Sequence, residues 1–193
     1  PVTGITGSAG KTTTVALVGA LLETAGINHV VGGNMGVGLL GLLNNISTDT
    51  QVIVELSHTQ LESLERSPQL ACITNIRPDH LDRYSWPSYV ALKKRIFEFQ
   101  NDSDTAIFNL DDDVSVDLAG GARGKVAYTS LSQTLPGDGV ALDGETIVRH
   151  QDGVDHEVMS TTDIPLRGQH NVSNVLSALA ISSHLGVTDS AAA

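Results

Sequence analysis

The sequence has one cysteine, Cys72, among 193 residues. No disulfide can form within the chain, which fits a reducing compartment such as the cytoplasm. Cys72 stands in the apolar run Leu70-Ala71-Cys72-Ile73 and is expected to be a core strand residue, not a nucleophile. Cations are also scarce: 11 Lys and Arg face 22 Asp and Glu, for a formal charge of -11. That balance excludes non-specific attraction to nucleic acid or to an anionic membrane. Any phosphate must then be held by local backbone amides, a few cations and metal ions. No apolar run is long enough to span a bilayer, and no secretory pattern opens the chain. Internal repeats and low-complexity linkers are missing, apart from the closing Ala191-Ala192-Ala193. No Asn-Lys-x-Asp sequence for reading guanine is found, which disfavours a GTPase.

What is present is enough chain for one sizeable domain, with 40% hydrophobic residues. Pro1–Ile5 reads as a strand entering a glycine-bearing turn. Lys11–Ala25 follows with Val15, Val18, Leu22 and Ala25 at helical spacing, and Gly26 as C-cap. His29–Val31 is a short strand, with Gly32 to Gly36 as a flexible turn. Further strands are expected over Gln51–Leu56, Leu70–Ile76, Asp104–Leu110 and Lys125–Tyr128, and helices over Trp86–Phe99 and His170–Leu185. The alternation predicts an α/β fold with a doubly wound, mostly parallel sheet. Gly137–Pro165 carries short alternating runs and the turn pairs Asp143-Gly144 and Asp152-Gly153, and is expected to be a small antiparallel β appendage. The chain opens on a strand and closes on alanines, which suggests a piece of a longer protein.

Gly4-Ile5-Thr6-Gly7-Ser8-Ala9-Gly10-Lys11-Thr12 has a strand before it and a helix after it, the context of a phosphate loop. Glycines let backbone N–H groups turn toward an anion, and the helix N-terminus adds its positive dipole end. Lys11 can reach the β- and γ-phosphates, and the Thr12 hydroxyl can sit on Mg²⁺. The first glycine of the general pattern would fall at Ile5, not Gly4, so the match is imperfect.

Other polar residues gather after the strands. Glu55 closes one strand where a carboxylate could hold Mg²⁺ or its waters; a surface glutamate is the plain alternative. Asp79-His80 follows another, with Asp82 and Arg83 behind, and His80 is either a metal ligand or a packing residue. Lys93-Lys94-Arg95 lies on a helix, where successive residues point about 100° apart, so at most one or two can face a common site. Asn171 and Asn174 are three apart on one helical face, poised to read an adenine edge or, for Asn171, to cap the helix.

Taken in order, these blocks resemble the Mur ligase family, ATP-dependent enzymes that join an amino acid to a cell-wall precursor. Thr6-Gly7-Ser8-Ala9-Gly10-Lys11-Thr12-Thr13 is similar to its phosphate loop, and Gly33-Asn34-Met35-Gly36 to its Gly-Asn-Ile-Gly block. Glu55-Leu56-Ser57-His58-Thr59-Gln60-Leu61 resembles Glu-Leu-Ser-Ser-Phe-Gln-Leu. Asn75-Ile76-Arg77-Pro78-Asp79-His80-Leu81-Asp82-Arg83 resembles the block with a metal-binding histidine, and Lys93-Lys94-Arg95-Ile96-Phe97 the block with a carbamylated lysine, which aligns on Lys93. Asn109-Leu110-Asp111-Asp112 and His170-Asn171-Val172-Ser173-Asn174 also match. The pattern is most similar to the members that add D-glutamate. It departs at Ala9, where Asn is usual, at His58-Thr59, where Ser-Phe is usual, and in a loop between His80 and Lys93 about one residue short.

The resemblance implies a central ATP-binding domain over residues 1–193, lacking the family's UDP-binding N-terminal domain and its C-terminal domain. It implies ATP held by Gly7, Ser8, Ala9, Gly10, Lys11, Thr12 and Thr13, with Asn171 and Asn174 toward the base. Two Mg²⁺ sites are implied, one at Thr12 and Glu55, the other at His80 and carbamylated Lys93, with Lys11, His80 and Lys93 catalytic. Asn34, Ser57 and Gln60 would line the muramoyl end of a UDP-linked substrate, and an amino acid would be the second partner. A monomeric, cytoplasmic peptidoglycan-precursor ligase is expected, scarcely active as an isolated domain. The alternatives are a folylpolyglutamate synthase-like ligase and a non-catalytic nucleotide-binding module.

Overall fold

The computed structural model describes residues 1–34 and 38–192. Met35 and Gly36 of the glycine block, and Ala193, lie outside the described residues. Nine strands form one sheet in the order β2-β3-β1-β4-β5-β6-β7-β8-β9. They are β1 (Val2–Thr6), β2 (His29–Gly33), β3 (Gln51–Glu55), β4 (Leu70–Ile73), β5 (Thr105–Asn109), β6 (Lys125–Ser130), β7 (Gly139–Asp143), β8 (Thr146–Gln151) and β9 (Val154–Ser160). The first seven pair in parallel, whereas β8 and β9 run antiparallel.

The helices are α1 (Lys11–Thr24), α2 (His58–Glu62), α3 (Trp86–Glu98), α4 (Asp113–Ala119), α5 (Gln169–His184) and α6 (Asp189–Ala192). Side chains alternate across the sheet, so β4 feeds both of its faces. Leu70 and Cys72 join the cluster that includes Val15, Val18 and Leu22 of α1 and Leu176 and Ile181 of α5. Ala71 and Ile73 join the opposite cluster, with Tyr89, Ile96 and Phe97 of α3. The sheet is thus covered on both faces, which suits its continuous β-branched strands. No helix among the described residues is long and apolar enough to cross a membrane.

One expectation needs correction. Gly32 and Gly33 belong to β2, where Gly32 pairs with Val54 and Gly33 with Glu55, and are not a flexible turn. The antiparallel segment is present as expected, at the end of the main sheet: β7 pairs in parallel with β6, and β8 and β9 then run antiparallel. Its alternation and turn pairs were correctly legible, but the partner of its first strand was not. Finally, α2 and α4 were missed, although Ser57-His58-Thr59-Gln60 has the spacing of a capping box.

Strand order places β1 between β3 and β4, with successive connections leaving in opposite directions. The crevice beyond the carboxyl ends of β1, β3 and β4 is therefore the topological switch point of the sheet.

Candidate functional site

The loop from Gly7 to Gly10 occupies that crevice, and it is bolted to the chain that leaves β4. The Ser8 N–H donates to the Asn75 carbonyl at 2.9 Å, and the Ala9 N–H donates to Asn75 Oδ1 at 3.0 Å. Asn75 Nδ2 and Thr74 Oγ1 both donate to the Ala9 carbonyl, at 3.0 and 2.7 Å. The Ser8 hydroxyl donates to the Arg77 carbonyl and accepts from the Arg77 N–H at 2.9 Å. A Cβ on Gly7 would lie 2.0 Å from Thr74 Oγ1, so this crossing admits only glycine. Asn75 and Thr74 were missed from sequence because their partners lie about sixty-five residues away.

Gly10 is left-handed, with φ of 84°, and leads into α1 without a side-chain cap. The first N–H groups of α1 have no intrahelical partners. No acidic residue stands in that turn to compete with an anion. Lys11 Nζ meanwhile donates to the Gly7 and Ser8 carbonyls, at 2.9 and 3.1 Å, folded back over the loop. The Thr12 hydroxyl donates to Glu55 Oε2 at 2.7 Å, and Asn34 Nδ2 donates to Oε1 at 2.9 Å. Glu55 is 2% exposed, so its carboxylate is withdrawn from water with both oxygens occupied by hydroxyl and amide donors. The surface-glutamate alternative is thereby removed.

Lys93 is the most unusual charge in the molecule. It is 1% exposed. Its Nζ donates to Thr6 Oγ1 and to the Gly7 carbonyl, each at 3.1 Å, and lies 5.2 Å from the centre of the Tyr89 ring. Burial, and then the nearby Lys11, bring its pKa down to about 7. The helical neighbours Lys94 and Arg95 play no part in that depression. Arg95 instead donates to the Leu61 and Leu64 carbonyls at the end of α2. Helical geometry divides the three cations as anticipated: one faces the loop, one α2.

His80 sits in an exposed turn with φ of 52°. Its ring lies 4.0 Å, centre to centre, from that of His58. Burial, then the charges of His80, Lys93 and Arg83, hold His58 below the usual imidazole range. Tyr89 lies beneath both rings, at 6.2 and 6.3 Å, and its hydroxyl is 3.2 Å from the Ser8 hydroxyl. Tyr89 was not singled out from sequence; an aromatic at helical spacing reads as core, which it also is.

Ser57 and Gln60 are committed to each other. Ser57 caps α2, accepting from the Gln60 N–H, while Gln60 Oε1 accepts from the Ser57 N–H at 2.8 Å. Gly168, not Asn171, is the N-cap of α5; Asn171 Nδ2 reaches back to the Arg167 carbonyl at 2.8 Å. Asn174 is 6% exposed and lies against the phosphate loop: a Cβ on Gly10 would meet Asn174 Oδ1 at 2.2 Å. Cys72 is buried, and burial pushes its thiol up to about 12, as a core residue should behave.

Among the described residues, no three His, Cys, Asp or Glu side chains converge on a metal-sized point. Mg²⁺ takes one or two protein oxygens and fills its octahedron with phosphate and water. The Thr12 hydroxyl and Glu55 carboxylate, side by side at the phosphate loop, are such oxygens.

Fold and site together define an α/β domain with a phosphate-loop-like turn at the switch point of its sheet. Residues 5–182 match the Mur ligase middle domain, and the chain belongs to the Mur ligase family. It is 40% identical to the UDP-N-acetylmuramoylalanine--D-glutamate ligase of Acidobacterium capsulatum over 187 residues, covering 95% of this chain and 41% of that protein. It is 38% identical to the ligase of the same name from Acetivibrio thermocellus over 177 residues, covering 91% of this chain and 38% of that protein. The chain thus spans about two fifths of the length of these curated relatives. Among solved structures it is similar to a UDP-N-acetylmuramoyl-L-alanyl-D-glutamate--2,6-diaminopimelate ligase, with a TM-score of 0.78 at 24% identity, covering 100% of this chain and 45% of that one. A pseudomurein peptide ligase type C from Methanothermus fervidus gives 0.72 at 20% identity, covering 100% and 48%. At these identities the structures share the fold.

Proposed function

We propose that this chain is the ATP-binding part of a ligase of peptidoglycan precursor synthesis that adds D-glutamate to UDP-N-acetylmuramoyl-L-alanine. The observation that carries the reading is the assembly of Lys11, Thr12 and Glu55 around an uncapped helix N-terminus at the switch point. The names of the D-glutamate ligases at 35–40% identity support the choice of acceptor. The parts of those relatives that this chain does not span are where the reading puts the UDP contacts and most of the amino-acid contacts. A place of work in the cytoplasm fits the single buried cysteine, and the working form is proposed to be a monomer.

The reaction has two steps. The terminal carboxylate of the muramoyl-alanine attacks the γ-phosphate of ATP, giving an acyl phosphate and ADP. The amine of D-glutamate then displaces phosphate and forms the amide. The obstacle in the first step is bringing one anion onto another, and fixed positive charge removes it. Lys11 would leave the Gly7 and Ser8 carbonyls for the β- and γ-phosphates, and the amides of Gly10 to Thr13 would hold phosphate oxygens. Mg²⁺, when bound at Thr12 and Glu55, supplies charge neutralisation and orients the phosphates. Asn34, already on Glu55, and Ser57 and Gln60, at the head of α2, would face the muramoyl end. Asn174 would read adenine from the far side of Gly10, with Asn171 behind it.

A second Mg²⁺ would be held by His80 and a carbamate on Lys93. The reading is supported by the burial that makes Lys93 partly neutral near pH 7, since only the free amine adds CO₂. Carbamylation would replace a buried cation by an oxygen donor suited to Mg²⁺.

Isotope transfer tests the function. This chain is put in place of the corresponding segment of the Acidobacterium capsulatum relative, and the alanyl carboxylate of the precursor is labelled with heavy oxygen. Label should appear in the inorganic phosphate released with the amide product. Amide formation without label in phosphate, or no D-glutamate-dependent product from a folded chimera, would refute it.

A further inference from the structure

The backbone of Arg77 is fixed beside the phosphate loop by two hydrogen bonds. The Ser8 hydroxyl donates to the Arg77 carbonyl at 3.0 Å and accepts from the Arg77 N–H at 2.9 Å. The same hydroxyl lies 3.2 Å from Tyr89 Oη, so the loop, α3 and the chain after β4 meet at one atom. The Arg77 side chain, by contrast, is loosely held. Its Nε comes to 3.7 Å from Asp112 Oδ2, too far for a hydrogen bond, and its guanidinium forms none among the described residues. Asp112 is satisfied without it: Oδ2 accepts from the Ile76 N–H at 3.1 Å, and Oδ1 from the Ser115 N–H at 2.9 Å. The Arg77 side chain is 68% exposed, and an ion pair whose cation stands in water holds weakly. Asp112 follows β5 and Arg77 follows β4, so the guanidinium lies at the carboxyl ends of neighbouring strands, along the same edge of the sheet as the loop.

We infer that Arg77 is a further phosphate-binding residue: its guanidinium leaves Asp112 and takes a non-bridging oxygen of the nucleotide's phosphate chain, on the β4 side of the loop. The inference rests on the proposed nucleotide reading and adds a contact to it. Cations are scarce in this chain, 11 against 22 acidic residues, so the whole molecule repels a polyphosphate and the attraction must be local. Lys11 reaches the loop from α1, and Lys93 is buried against it. Arg77 is the exposed cation whose backbone is tied to the loop itself. A guanidinium suits the task, being planar, permanently charged and able to offer paired N–H donors to phosphate oxygens. The change of partner costs little, because Asp112 keeps both of its backbone donors. Lys11 and Arg77 would then flank the phosphates and neutralise them from two sides.

The test is titration calorimetry of Mg²⁺-ATP, and of Mg²⁺-pyrophosphate, which has no base or ribose, into wild type, Arg77→Gln and Arg77→Lys. Arg77→Gln should weaken both ligands by about tenfold. Arg77→Lys should recover part of the loss, because the charge is kept and the planar fork is not. Circular dichroism and thermal unfolding should be the same in all three proteins, since the side chain is exposed. ATP binding by wild type with undiminished affinity in Arg77→Gln would overturn the inference and leave the nucleotide reading standing. Equal losses in Arg77→Gln and Arg77→Lys would also overturn it, because the effect would then belong to the loop and not to the charge. A loss for ATP with none for pyrophosphate would move the contact off the phosphates and overturn it too. Failure of wild type to bind either ligand would remove the nucleotide reading itself, and the inference with it.

Discussion

Lys93 has two neutral oxygens and an aromatic ring for company, and no carboxylate among its hydrogen-bond partners. With a pKa of about 7 when folded and 10.5 when unfolded, the unfolded chain binds its proton more tightly. The cost is therefore full below pH 7 and fades as pH rises from 7 to 10.5. Lys93→Met should unfold at higher denaturant than wild type at pH 6, by on the order of a few kcal/mol, with the gap closing toward pH 10. A gap independent of pH would show that Lys93 is charged throughout. Asn174 offers a second test, because it serves two neighbours. If it reads adenine, Asn174→Ala should weaken ATP by roughly 1 kcal/mol and leave GTP nearly unchanged. Equal weakening of both nucleotides would reduce Asn174 to a prop for Gly10. Lys93, Glu55 and Thr12 were legible in sequence from the resemblance and from strand ends. Asn75 and Tyr89 were not, because an ordinary polar or aromatic residue acquires a role only when the sheet brings its partner near.

At the scale of elements, the phosphate loop is held open by the chain after β4, not by its own glycines alone. Asn75 spans it with two hydrogen bonds, to the Ala9 N–H and the Ala9 carbonyl. Asn75→Ala should leave the helical and sheet content intact and lower ATP affinity by roughly 1–2 kcal/mol, as two ordering bonds are lost. Circular dichroism with calorimetry would check it, and undiminished affinity would show that the loop is ordered without Asn75. Local pattern revealed most elements because periodicity is a local property: β1, α1, β3 and α5 were bounded to within a residue or two. Sheet order was harder. Thr146-Ile147-Val148 announces a strand, yet nothing in it says that β7 first adds to β6 in parallel. The five-residue α2 escaped because it is too short for apolar periodicity, and only its Ser57–Gln60 spacing marks it.

Over the whole molecule, the proposed function puts one half of a reaction in this chain. A sheet of nine strands supports the loop after β1 and Glu55 at the end of the neighbouring β3, and Lys93 comes from α3. The chain spans about two fifths of the length of its curated relatives, and the proposed reading puts the uridine nucleotide contacts in the remainder. The chain by itself should therefore bind Mg²⁺-ATP and yield no D-glutamyl product, measured by chromatography of the UDP-linked precursor. Robust ligation by the chain alone would mean that the acceptor sites lie within it. Lys11 and Thr12 are proposed to hold the phosphates of a Mg²⁺-bound nucleotide at the start of α1. Titration calorimetry of ATP into wild type and Lys11→Ala, with and without Mg²⁺, measures it. Mg²⁺-dependent binding is expected for wild type and none for a folded Lys11→Ala. The same affinity in both proteins would contradict it.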